Sequence, residues 1–150
     1  MKLLCDQMLG TCAKWLRILG IDTFFDNSEM DDKEILKIAK KEDRTLITRD
    51  KDLLIDARRE NISVIKIETT DLDEQLRTVL KEIEIDKSKI LSRCILCNSK
   101  VVKIDKEKVK DKVPQRVFEN NHKFWYCSKC DKLYWRGTHT ENMIKKISEM

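Results

Sequence analysis

The chain has 150 residues, 31 of them Lys or Arg and 27 Asp or Glu, for a formal net charge of +4. With three Gly, one Pro and 41% hydrophobic residues, it is neither collagenous nor low-complexity, and it is too apolar to be disordered. No apolar run approaches the roughly 20 residues that cross a bilayer. The opening MKLLCDQ meets an acid at Asp6 and does not read as a secretory signal. A soluble, cytoplasmic globular protein of one ordinary domain or two small ones is expected.

The first half alternates between short apolar runs and helical patterns. Lys2–Cys5 suits a buried strand. Met8, Leu9, Cys12, Trp15, Leu16 and Leu19 recur at helical spacing, and Gly20 stops that helix. Thr23–Phe25 reads as a second strand, followed by a helix opened by Asp31 with Ile35, Leu36, Ile38 and Ala39 on its buried side. Thr45–Thr48 is a third strand and Lys51–Glu60 a helix. Ser63–Ile67 is a fourth strand, and Asp71 caps a helix with Leu72, Leu76, Val79, Leu80 and Ile83 on its apolar face. Four such alternations predict an α/β fold, a parallel sheet with helices on both faces.

In such a sheet the residues just beyond the strand C-termini gather along one edge, where open α/β folds bind ligands. That edge receives Asp6 after the first strand and Asp50 and Asp52 after the third, with Asp31 and Asp32 at the start of the second helix. No glycine-rich phosphate loop follows any strand, which disfavours nucleotide binding of the Rossmann or P-loop type. Clustered carboxylates repel one another and are tolerated where hard cations such as Mg2+ or Mn2+ lie between them. Such ions activate water and polarise phosphodiesters. Each acid also has a structural reading: Asp31 with Glu34 forms a capping box, and Asp32 and Asp52 suit the first turns of their helices. Asp6 and Asp50, each closely following an apolar strand, point more strongly to a cation site.

Residues 84–92 (EIDKSKILS) form a polar bridge to a different second half. Cys94, Cys97, Cys127 and Cys130 form two C-x2-C knuckles, the spacing of a closed tetrahedral Zn2+ site in a small β-rich ribbon. Disulfides are disfavoured in the expected compartment, and an iron–sulfur cluster is the minor competitor. Cys5 and Cys12 sit in apolar patterns and read as buried free thiols. Residues 1–90 hold 17 Lys+Arg and 20 Asp+Glu, whereas residues 91–150 hold 14 and 7. The ribbon is therefore basic and suited to a polyanion. Val102, Ile104 and the Val109–Val113 stretch are expected to form its hairpin arms. Lys110, Lys112 and Arg116 are its candidate contacts to such a polyanion, and Arg136 and His139 are candidates for contact with it or with the first domain. Trp125 and Trp135 are expected to pack around the metal, Tyr126 and Tyr134 less so, and the final ENMIKKISEM to dock back as an amphipathic helix.

The segments LLCDQMLGTCAKWLRILGIDT, DDKEILKIAKKEDRTLITRDKDL, RCILCNSK and FWYCSKCDKLYWRGTH together resemble the Mut-seven C-terminal family of ribonucleases, a PIN-like domain followed by a zinc ribbon. The resemblance covers nearly the whole chain. It implies a nuclease domain over residues 1–85 and a four-cysteine ribbon with a short C-terminal helix over 92–150. It further implies a catalytic Mg2+ or Mn2+ site of Asp6, Asp32, Asp50 and Asp52, a structural Zn2+, and RNA as substrate, with tRNA or rRNA as the candidates. Departures occur at Thr11–Cys12 and at Thr140, away from the acids. The alternative is a non-catalytic RNA- or ribosome-binding module on the same scaffold. An archaeal ribosome-maturation nuclease with the same parts fits the WRGTH tail less well. A receiver-like phosphoacceptor domain fits poorly, because Lys66 is its weak best candidate for the required lysine.

Overall fold

The computed structural model describes residues 1–150. Its first half contains β1 (Leu3–Cys5), α1 (Gly10–Ile18), β2 (Thr23–Phe24), α2 (Asp32–Lys41), β3 (Thr45–Thr48), α3 (Lys51–Arg59), β4 (Val64–Lys66) and α4 (Leu72–Leu80). The four strands form one parallel sheet in the order β2-β1-β3-β4. Because side chains alternate along a strand, each strand feeds two cores. Leu3, Cys5, Ile47 and Ile65 face α1 and α4, where Leu16, Leu76 and Val79 are buried. Leu4 and Leu46 face α2 and α3, packing against Ile35, Leu36, Leu53 and Ala57. Helices therefore cover both faces, as the alternation of elements predicts.

The strand order places a topological switch between β1 and β3. From β1 the chain moves outward to β2, then crosses back past β1 to reach β3 and β4. Connections leaving β1 and β3 run to opposite faces, which opens a crevice at their C-terminal ends. Asp6 and Asp50 lie there.

The second half carries an antiparallel sheet, β5 (Val102–Ile104), β6 (Phe124–Cys127) and β7 (Lys132–Tyr134), with α5 (Gln115–Asn120) and α6 (Thr138–Ser148). The arm expected over Val109–Val113 does not form. Lys106–Val109 is a 3-10 turn, Val109 is its one buried anchor, and Pro114 precedes α5. Lys110, Asp111 and Lys112 supply no apolar face for a strand to bury. The helix expected at the C-terminus is α6. It docks back through Ile147, which joins the α1/α4 core, and through an ion pair between Lys146 and Asp73.

The segment 84–92 is not a loose tether. Leu91 is buried, and its N–H donates to the carbonyl of Ile18 at the end of α1 (2.8 Å). Gly20, at φ +85°, allows this approach: a Cβ there would lie 2.2 Å from the Lys89 carbonyl oxygen.

Candidate active site and metal centre

Asp6 is the anchor of the acidic edge, and it is buried at 5% exposure. Burial of a carboxylate requires donors, and three are provided. The Met8 N–H donates to Oδ1 (2.9 Å), while the Arg49 N–H (3.3 Å) and the Thr48 hydroxyl donate to Oδ2. Thr48, fully buried at the end of β3, accepts in turn from the Asp50 N–H (2.9 Å). One hydroxyl thus spans the switch crevice and ties the Asp6 carboxylate to the backbone that carries Asp50.

The other acids lie on exposed helix starts. Asp50 is the N-cap of α3, its Oδ1 accepting from the N–H groups of Asp52 (2.8 Å) and Leu53 (3.2 Å). Asp52 sits in the first turn of α3 and Asp32 in that of α2. Asp31 is the N-cap of α2 and accepts from the Glu34 N–H (2.9 Å), the capping role expected for it. Partial burial, followed by the charges of Asp50, Asp56, Asp31 and Asp52, raises the pKa of Asp32 above the usual carboxylate value. The starts of α2 and α3 therefore share one negative field. No three of these carboxylates bring oxygens within 4.8 Å of one another. Such an open set suits a hydrated Mg2+ or Mn2+, which keeps several waters and takes only one or two carboxylates.

The cysteine centre is closed. The sulfurs of Cys94, Cys97, Cys127 and Cys130 all lie within 4.8 Å of one another, with Cys97 and Cys127 3.6 Å apart. A tetrahedral Zn2+ with 2.3 Å bonds requires S···S separations of about 3.8 Å, so the donor set and its spacing fit that ion. The first knuckle is shaped by two backbone bonds, Cys94 N–H to Ser99 O (2.8 Å) and Asn98 N–H to Cys94 O (2.9 Å). Burial opposes ionisation of Cys97, but hydrogen bonds from Ser99, Cys127 and Cys130 outweigh it and hold its pKa at about 6. Cys130 is pushed up to about 12, chiefly by its hydrogen bond to Cys97. Metal uptake displaces the thiol protons that remain.

Tyr134 is buried beside this centre rather than exposed: its hydroxyl lies 3.0 Å from Cys94 Sγ and accepts from the Ile95 N–H (3.1 Å). Trp125 packs against the cysteines, and Trp135 lies 6.3 Å from the buried Phe124 ring. Cys5 and Cys12 are buried free thiols, as their apolar surroundings imply.

The candidate RNA contacts divide into two groups. Lys110, Lys112 and Arg116 are exposed and enter no ion pair. Arg136 pairs with Glu141, and the His139 ring meets Trp15 edge-on at 5.6 Å. Sequence reasoning missed Thr48, whose only local signal is its place before Arg49 and Asp50. It also missed Arg17, a cation buried within the apolar pattern of α1, and Arg44, buried just ahead of β3.

Residues 1–147 match the Mut7-C RNAse domain. The chain belongs to the Mut7-C RNAse family. No curated protein and no solved structure matches it. The family's description carries a nuclease, RNA-related function. No helix is long and apolar enough to cross a membrane.

Proposed function

We infer that this chain is a Mg2+- or Mn2+-dependent ribonuclease with a structural zinc in its ribbon. The observation that carries the reading is the buried, triply hydrogen-bonded Asp6 carboxylate at the switch point. Asp6 also caps the Gln7–Leu9 turn through Oδ1, but an exposed acid would serve that turn equally well, and burial of a carboxylate is costly. Asp6 and Asp50 are the residues that would hold the ion, with Asp32 and Asp52 lining its approach. When bound, such an ion activates water and offsets charge on the phosphodiester. Thr48 keeps the Asp6 oxygens oriented, and the shared field of α2 and α3 leaves Asp32 ready to lose repulsion once a cation arrives. The exposed Lys110, Lys112 and Arg116 offer phosphate contacts on the ribbon.

Cleavage of single-stranded and structured RNAs, with Mn2+ or with EDTA, tests this. Cleavage should require the divalent ion and fall roughly a hundredfold or more in Asp6→Asn and Asp50→Asn. Unchanged cleavage in both variants would sink the catalytic assignment. A non-catalytic RNA-binding module has one point in its favour, the capping duty of Asp50 in α3. That reading predicts salt-sensitive RNA binding with no Mn2+-dependent cleavage.

A further inference from the structure

We propose that the parallel-sheet unit completes the metal centre of the ribbon: Arg17 is its outer-sphere cation, and Asn98 of the first knuckle closes the edge of strand β2, so that metal loading locks that edge. This inference rests on the zinc reading of the four cysteines.

Arg17 is 4% exposed, within a helix whose neighbouring Ala13 and Leu16 are core residues. It has no carboxylate partner. Its Nε donates to Thr23 O (2.9 Å) and Nη2 to Phe25 O (3.4 Å), while Nη1 donates to Ile95 O (2.8 Å), between Cys94 and Cys97. One planar fork therefore joins the edge strand to the first knuckle. Three carbonyls accept from its three nitrogens but do not neutralise its charge, and a buried unpaired charge is expensive. Burial accordingly lowers the guanidinium pKa, with Cys5, Cys94 and Cys97 acting in the opposite direction. Four thiolates around one Zn2+ leave a net charge of −2. That charge is the partner the buried guanidinium otherwise lacks, and Arg17 in turn offsets half of it.

The second strap runs through Asn98. Strand β2 lies at the edge of the sheet, where backbone groups go unpaired. Asn98 Oδ1 accepts from the Thr23 N–H (3.0 Å), and its Nδ2 donates to Asp22 Oδ1 (2.7 Å). Asp22 also pairs with Arg44 (2.8 Å) and Arg93 (3.7 Å), and Arg93 donates back to the Asn98 carbonyl (2.8 Å). Asn98 has φ +68°, a left-handed conformation in which Asn is tolerated and Gly is free. Asn98→Gly therefore removes the strap while preserving the turn.

The test uses the full chain. Zinc content is measured first, then zinc affinity by competition with a chromogenic chelator, and then hydrogen exchange at the Thr23 amide with and without zinc. The wild type should bind one zinc, and stripping it should accelerate Thr23 exchange. Arg17→Gln should weaken zinc binding by about 10–100-fold, and Arg17→Lys should recover part of that loss by restoring the charge. Asn98→Gly should keep stoichiometric zinc but accelerate Thr23 exchange. Zinc affinity within twofold of wild type in Arg17→Gln, or Thr23 protection indifferent to zinc, overturns the inference and leaves the zinc reading standing. A wild type that takes up no zinc overturns both. Should Arg17→Gln fail to fold, Asn98→Gly and the wild-type exchange measurement still decide.

Discussion

The two polar centres of this chain are built in opposite ways. The cysteine centre is compact: four sulfurs within 4.8 Å of one another, two of the cysteines fully or almost fully buried, with Tyr134 against one sulfur. The acidic edge is open. Asp6 alone is buried, while Asp32, Asp50 and Asp52 sit on exposed helix starts. Thiolates separated by two residues in a knuckle are brought together by local backbone turns, so a soft, four-coordinate ion finds its ligands nearly in place. Carboxylates at a sheet edge repel and must be delivered by separate elements, so only the member with three donors can be buried. The first arrangement suits a metal that stays and stabilises a fold. The second suits a hydrated ion that must still admit a phosphate.

Removing zinc should break the contrast most severely. Cys127→Ser, or exhaustive chelation, should abolish stoichiometric zinc and unfold the ribbon, since structural zinc contributes on the order of 10 kcal/mol in small zinc domains. Metal content and the fluorescence of Trp125 and Trp135 report it. Zinc retained by Cys127→Ser would mean that the compact centre is not the binding site.

Thr48→Val addresses the acidic side with nearly the same shape. It deprives Asp6 of one donor and the Asp50 N–H of its acceptor, and should cost about 1–3 kcal/mol in denaturant unfolding. Mn2+ affinity should fall with it. Unchanged values for both would show that the hydroxyl does not organise the edge.

The smallest effect concerns Asp32. Its pKa is raised above 3.8 in the folded chain, so the folded state holds this proton longer than the unfolded state does. The sign follows: its contribution to stability declines as pH rises past the ordinary carboxylate range. At pH 7 without divalent ions, Asp32→Asn should raise the melting temperature by roughly 1 °C. With Mn2+ the order should reverse, because the nearby cation then favours the charge on Asp32 that the variant lacks. Melting curves at pH 4 and 7, with and without Mn2+, read out both signs.

Much of the parallel-sheet half was legible in its residues. The alternation from β1 to α4, the caps Asp31 and Asp71, and the stop at Gly20 all depend on near neighbours in the chain. The ribbon was less legible around Val109–Val113. Alternating lysines there mimic a strand, but no apolar face backs them, and the segment turns instead. Tyr134 was also misjudged, because its hydroxyl finds a sulfur 40 residues away in the chain.

By itself the sequence determined what depends on short spacing: helix caps, strand alternation, the C-x2-C knuckles and the separation of acidic from basic halves. Only the tertiary structure decided which side chains bridge distant elements. The strand order β2-β1-β3-β4 sets Thr48 opposite Asp6, and the docking of the first knuckle against β2 adds the Ile95 carbonyl to the two that Arg17 meets at Thr23 and Phe25. Neither contact leaves a periodic trace, because a buried hydroxyl or guanidinium is satisfied by partners that folding supplies from elsewhere in the chain.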